Sequence, residues 1–252
     1  MKCGLCLRDV EQLSKSHIIP KSLILFGRDK ASKEPMLLIP SNKTNRVQRS
    51  QAGIYSEIVC PECEASFQKG DDAVLAFCRT FTQGVPVPNK GAVVICRTYP
   101  TMENAALHRG VLTTLFRAHL STHPLFKAVD LGRHHADCIR QLLLSSEPSH
   151  ESGYKVVLRV IPSFAGSVIT SPLRERWWGV NAYRLYLPYV SAFIKVDRRA
   201  FAMEMDSCAL GAFNVPHAIF SDDLSAAERQ RLLKVTVGRD LEVERYMDRK
   251  PA

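Results

Sequence analysis

Two cysteine pairs, Cys3/Cys6 and Cys60/Cys63, are the residues whose types and spacing point most directly to chemistry. A Cys-x-x-Cys pair is a short knuckle that aims both sulfurs at one ion, and two knuckles complete the tetrahedral thiolate set that a structural zinc prefers. The interval between the pairs exceeds that of a simple zinc ribbon, so the insert must be a structural element in its own right. Within it lies Ser16-His17-Ile18-Ile19-Pro20, which presents a histidine. An imidazole titrates near neutral pH and can take a proton from water. The alternative is that His17 only packs beside Ile18 and Ile19.

The elements that must hold these groups follow from hydrophobic period and from breakers. Residues 7–13 read as a short strand or turn, and a second strand carries His17, Ile18 and Ile19, with Pro20 ending its pairing. Residues 21–26 form a short helix or strand. The polar stretch 27–53 reads as loop with one strand over 36–39, and 54–59 is a strand leading into the second knuckle. From Glu64 onward, Phe67, Ala73, Val74, Ala76 and Phe77 point to a helix that Gly70 could split. Pro86, Pro88, Asn89 and Gly91 make the clearest break, so a module over residues 1–85 and a body over 86–252 are expected. The body reads as a strand over 92–95, a helix from Thr101 or Asn104 and another over 134–144. Strands follow over 155–161, around a turn near Pro188, and over 192–196 and 200–205. Ser225-Ala226-Ala227-Glu228 has capping-box spacing and opens a last helix. The expected class is α+β, with the helices of the body on an antiparallel sheet.

At 252 residues the chain can hold one large domain or two modest ones, and a hydrophobic share of 46% is that of a folded protein. A net charge of +9 favours polyanionic partners, nucleic acid before anionic membrane. The excess is concentrated in the first fifty positions. There the run 42–49 offers Lys43, Arg46 and Arg49 to phosphates, or else forms a solvated loop. Met1-Lys2 runs straight into Cys3 without an apolar leader, and no stretch is long and apolar enough to span a bilayer; a soluble, cytoplasmic protein is expected. In a reducing compartment Cys78, Cys96, Cys138 and Cys208 are expected as buried thiols, a nucleophilic or redox role being the alternative.

Cys3-x-x-Cys6, Ser16-His17-Ile18-Ile19-Pro20 and Cys60-x-x-Cys63 followed at once by Glu64 resemble, over residues 1–80, a divergent HNH nuclease of the ββα-metal class. The resemblance implies a zinc-stabilised module in which a hairpin and a helix frame a separate catalytic Mg2+ or Mn2+. It makes Cys3, Cys6, Cys60 and Cys63 the zinc ligands and His17 the general base. Glu64 falls at the family's third position, where a carboxylate binds a hard ion; otherwise it is an acidic residue well placed at a helix N-terminus. Three positions depart from the pattern, Glu64 at the third position being one. Ser16 stands where the family has an acidic or histidine ligand, and Tyr55 and Ser56 stand where its middle asparagine falls, with Asn45 further back. Asp71 and Asp72 are further carboxylates for a metal, or a solvated helix start. The implied activity is metal-dependent hydrolysis of nucleic acid, DNA favoured, in a setting such as bacterial antiviral defence; a homodimer is compatible with a site that cuts one strand. The alternative is a non-catalytic, zinc-stabilised nucleic-acid-binding or adaptor protein.

Other candidates are weaker. His119 and His123 have the i, i+4 spacing of a shared metal pair but lack the glutamate of a zinc-protease motif, and they read as helix C-terminal caps. Trp177 and Trp178, if both in a strand, point to opposite faces, one into the core and one free to stack on a base or a partner. No phosphate-binding glycine loop, nucleophile elbow or dinucleotide fingerprint occurs.

Overall fold

The structure, a computed structural model, describes residues 1–28, 34–40, 46–87, 96–146, 152–164, 166–234 and 243. Lys43, Asn45 and the strand expected over 92–95 lie outside these residues. Strand β1 (Ser14–His17) pairs antiparallel with β4 (Tyr55–Val59), matching Ser16 with Ser56 and His17 with Tyr55. Between them run α1 (Lys21–Gly27), β2 (Met36–Ile39) and β3 (Gln48–Ser50). Helix α2 (Pro61–Arg79) follows β4 directly. The strand or turn expected over 7–13 is reduced to one bridge, Lys2 to Asp9, because the first knuckle has already folded the chain back on itself.

A second, seven-stranded sheet contains β5 (Val85–Pro86), β6 (Cys96–Thr98), β7 (Val156–Val160), β9 (Leu173–Trp177), β10 (Val180–Leu187), β11 (Val190–Lys195) and β12 (His217–Phe220). Its order is β5-β6-β12-β7-β11-β10-β9. The sheet is mixed where an antiparallel one was expected. Strand β12 returns from β11 in the opposite direction, and β7 between them is also antiparallel to β11, so β12 and β7 run parallel. The strand expected over 200–205 is instead loop and the short helix α5 (Met203–Asp206), closed by the Met205 amide on the Ala202 carbonyl at 2.9 Å.

Residues on both sides of position 86 share one core. Strand β2 pairs antiparallel with β3 and parallel with β8 (Val168–Thr170), matching Leu37 with Val168. A continuous buried cluster runs from Cys3 and Leu23 through Phe116 to Leu158 and Ala218. Helix α3 (Asn104–Leu120) lies inside it and is buried on nearly every side, as its Leu, Val, Ala and Phe content requires. Its polar side chains therefore need internal partners: His108 Nε2 meets the Tyr154 carbonyl at 2.7 Å, and Thr114 donates to the Gly110 carbonyl at 3.0 Å. Helix α4 (Gly132–Leu144) packs on the far side of α3.

Gly70 does not split α2. It is the point where α2 crosses α3: a Cβ at Gly70 would lie 2.8 Å from Gly110 Cα, and one at Gly110 would lie 2.2 Å from the Gly70 carbonyl oxygen. Both obstacles are backbone, so the helices touch main chain to main chain. Gly110→Ala is expected to lower stability by about 2 kcal/mol, overpacking of up to about 3 kcal/mol being offset in part by the better helix propensity of alanine. Gly153, with nothing near its Cβ position, supplies the control. Urea midpoints of Gly110→Ala and Gly153→Ala should differ, and equal midpoints would refute the close crossing.

The capping box at the last helix is formed. The Glu228 amide donates to Ser225 Oγ at 3.3 Å and the Ser225 amide to the Glu228 carboxylate at 3.0 Å, opening α6 (Ala226–Lys234). Glu228 also accepts from Arg159 at 2.6 Å and from Arg184, which is itself buried and bonded to Glu175 at 2.9 Å. Burial alone would raise the Glu228 carboxyl, but Arg159, the Ser225 amide and Arg184 overcome it and bring the group down to about 2. A carboxylate depressed from its ordinary value of 4.5 contributes stability above that pH and loses it as pH falls towards about 2. The shift corresponds to about 3 kcal/mol. Glu228→Gln should therefore be destabilised by about that amount at neutral pH and by progressively less below pH about 4; a gap unchanged in acid would contradict the pairing.

Candidate metal centre and active site

The first knuckle is a tight backbone turn. The Leu7 amide donates to the Cys3 carbonyl and the Cys3 amide to the Arg8 carbonyl, both at 3.0 Å, with Leu7 in the left-handed region at φ 59°. The Gly4 amide donates to the Ile58 carbonyl at 2.8 Å, which seats the knuckle against β4. The second knuckle is the start of α2: Cys60 is the N-cap, Pro61 takes the first helical position, and Cys63 lies in the first turn. The four sulfurs all lie within 4.8 Å of one another, and Cys6 and Cys60 are 3.9 Å apart. Zinc–sulfur bonds of about 2.3 Å in a tetrahedron place sulfurs about 3.8 Å apart, whereas a disulfide needs about 2.05 Å. The donor set thus fits a four-thiolate ion such as zinc.

Two further contacts suit thiolates. The Cys60 amide points at Cys3 Sγ at 3.2 Å, and Arg8 Nε at Cys6 Sγ at 3.3 Å while the same guanidinium grips Glu62 on α2. Burial raises the Cys6 thiol, but Arg8 and the adjoining cysteines bring it down to about 6. Burial and the neighbouring sulfurs push Cys63 up. Four sulfurs this close repel one another once ionised, and a cation among them is what lets all four carry charge.

Beside this centre, β1, β4 and α2 assemble a strand–strand–helix unit. Ser16 is fully buried on β1 and donates its hydroxyl to the Glu64 carboxylate. Glu64 follows Cys63 immediately, so the knuckle that fixes the cysteine also fixes the carboxylate. His17 ends β1 half-buried, with its ring 6.0 Å from Tyr55 on β4. A turn backs it: the Gly53 amide donates to Ser50 Oγ at 2.7 Å, and Gly53 at φ 87° would place a Cβ 3.6 Å from His17 Cδ2. Burial lowers the imidazole's proton affinity, Lys21 and Arg117 add to that, and Glu64 and the Ala52 carbonyl act the other way, for a net downward shift. The shift favours the neutral imidazole, the state in which it can accept a proton.

Below Glu64 on the same face of α2 lies Asp71, seven residues on. It is neither an open ligand nor a solvated helix start: Arg117 of α3, 1% exposed, grips both its oxygens at 2.6 and 3.0 Å. Sequence reasoning missed this pair. The available signals were the spacing of Glu64 and Asp71 and an arginine set in the apolar run Leu115-Phe116-Arg117-Ala118. Asp72 is exposed and accepts from Gln68 at 2.9 Å. Ser56, at the asparagine-like position, meets Ser121 Oγ at 2.9 Å, and Tyr55 is exposed. Arg49 is exposed on β3, the strand leading into the turn behind His17, and Arg46 is exposed just before it. His119 and His123 are not metal ligands to one another; their rings accept the Leu131 amide at 3.4 Å and the Leu125 amide at 3.2 Å, so they cap the segments that follow α3.

Among the described residues no helix is long and apolar enough to cross a membrane. No family model, no curated protein and no solved structure matches the chain.

Proposed function

We propose that the chain is a metal-dependent nuclease of the HNH, ββα-metal kind that hydrolyses phosphodiester bonds, with DNA the favoured substrate. The observation that carries this reading is the placement, beside a four-cysteine centre, of His17 on β1 next to Ser16, whose hydroxyl bonds the Glu64 carboxylate on α2. A divalent ion such as Mg2+ or Mn2+, when bound at Glu64, supplies charge compensation for the phosphorane-like transition state. His17 takes a proton from the attacking water on its free ring nitrogen as the new phosphorus–oxygen bond forms and the bond to the leaving oxygen breaks. Its lowered proton affinity and the backing turn suit it to that role. The four cysteines, holding zinc, keep β4 and α2 in register so that Glu64 stays opposite β1. Arg46, Arg49 and the neighbouring Lys43 offer charge to the phosphate backbone.

A second reading, a zinc-stabilised nucleic-acid binder without catalysis, is favoured by the Ser16–Glu64 hydrogen bond, which occupies the carboxylate. The test is cleavage of labelled DNA and RNA across a titration of Mg2+ and Mn2+. The nuclease reading expects ion-dependent cutting, with Glu64→Gln requiring more of either ion. Salt-sensitive binding without cutting on any substrate would select the second reading.

A further inference from the structure

Trp178 and Gly179 form the two-residue turn between β9 and β10, closed by the pairing of Trp177 with Val180. Their φ values are 47° and 78°, the arrangement of a type I′ hairpin, which strongly prefers Asn-Gly or Gly-Gly. A tryptophan with positive φ is unfavourable for folding, and this one is 54% exposed. Its ring meets the neighbouring tryptophan. Trp178 stands edge-on to Trp177 at 6.5 Å, and Trp177 stacks on Phe193 at 3.7 Å. The adjacent Gly179 adds no cover, with nothing near its Cβ position.

Several exposed cations flank this hairpin. Arg174 and Arg176 are exposed on one face of β9, and neither has an ion-pair partner among the described residues. The nearest acid in sequence, Glu175, points to the other face and is held by Arg184 and Arg231. Arg198 is exposed in the loop that docks beside the hairpin, where the Asn181 amide donates to Asp197 at 2.8 Å. Asp197 is itself neutralised by Arg199.

A half-exposed indole at a hairpin tip whose β9 strand also carries exposed guanidinium groups combines the two chemistries that hold nucleic acid with splayed bases: a ring can stack on a base and cations can meet its phosphates. We propose that the β9–β10 tip is a docking site for single-stranded nucleic acid, with Trp178 as the stacking residue and Arg174, Arg176 and Arg198 as phosphate contacts. Duplex bases are already stacked on each other and have no free face for the ring. The inference deepens the nuclease reading by naming unpaired strands as what the body holds, but it is tested by binding alone and so can fail or stand separately from catalysis.

The experiment uses the full zinc-loaded chain carrying His17→Ala, titrated into fluorescent oligo-dT, oligo-U and a duplex of matched length. Single strands should bind and quench tryptophan emission; Trp177 and Trp178 are the two tryptophans of the chain. Trp178→Ala should weaken binding of single strands about tenfold, in line with the loss of one stacked base. Duplex affinity should be unaffected, and Trp178→Phe should retain most single-strand affinity. Trp178→Gly should melt higher than the parent, because glycine accepts positive φ, yet bind as weakly as Trp178→Ala. The proposal is overturned by equal single-strand affinity with and without the indole, by binding with no change in emission, or by loss of binding to anionic vesicles in place of oligonucleotides.

Discussion

Cys63→Ser is expected to abolish metal binding at the four-cysteine cluster and to destabilise the fold around it. Cys63 lies in the first turn of α2, and its sulfur is one of four within 4.8 Å of one another. Serine cannot supply a thiolate, so the ion loses a quarter of its coordination. Structural zinc binding amounts to about 10–16 kcal/mol in small zinc-folded peptides, whereas whole domains are stable by only about 5–15 kcal/mol. Losing even part of that contribution is enough to melt the segment. The remaining sulfurs of Cys3 and Cys60 are buried, and without the ion they have no counter-charge. The wild-type protein should carry one zinc per chain. The variant should carry almost none, with reduced helical circular dichroism and a lower melting midpoint. Cys138→Ser, a change outside the cluster, should retain the zinc.

Removal of the His17 imidazole is the second large effect. A general base contributes about 10²–10⁴-fold to rate, so His17→Ala should lose cleavage by that factor while zinc content and melting midpoint stay near wild type. The fold should tolerate the change because the ring is only half-buried at the end of β1, and the turn behind it keeps its bonds between Ser50 Oγ and the Gly53 backbone when the ring's bond to Ala52 is lost. Loss of zinc together with activity would assign His17 a structural role instead.

Much of this site was legible because it is local. Two Cys-x-x-Cys knuckles need only a few residues each to aim their sulfurs, and Glu64 is tied to Cys63 by a single peptide bond. Strands β2 and β4, helices α3 and α4, and the capping box at Ser225 and Glu228 were likewise readable, since period and capping act within one element. What was not legible depends on partners distant in sequence. Gly70 reads as a helix breaker until Gly110 is seen against it. Asp71 reads as solvated until Arg117 closes on it from α3. The parallel pairing of β12 with β7 follows from where the chain returns after β11, which no local pattern encodes. Trp178 reads as a strand residue by composition, and only the pairing of Trp177 with Val180 puts it in the turn.

The proposal at stake is that His17 and Glu64 form a hydrolytic site beside the four-cysteine centre. The most direct test is nicking of supercoiled plasmid and cutting of single-stranded DNA by the full chain with Mg2+ or Mn2+, beside His17→Ala protein of equal zinc content. The account predicts cleavage that requires the added ion and disappears with the imidazole. Cleavage that persists undiminished in His17→Ala, or that ignores the divalent ion, would contradict it.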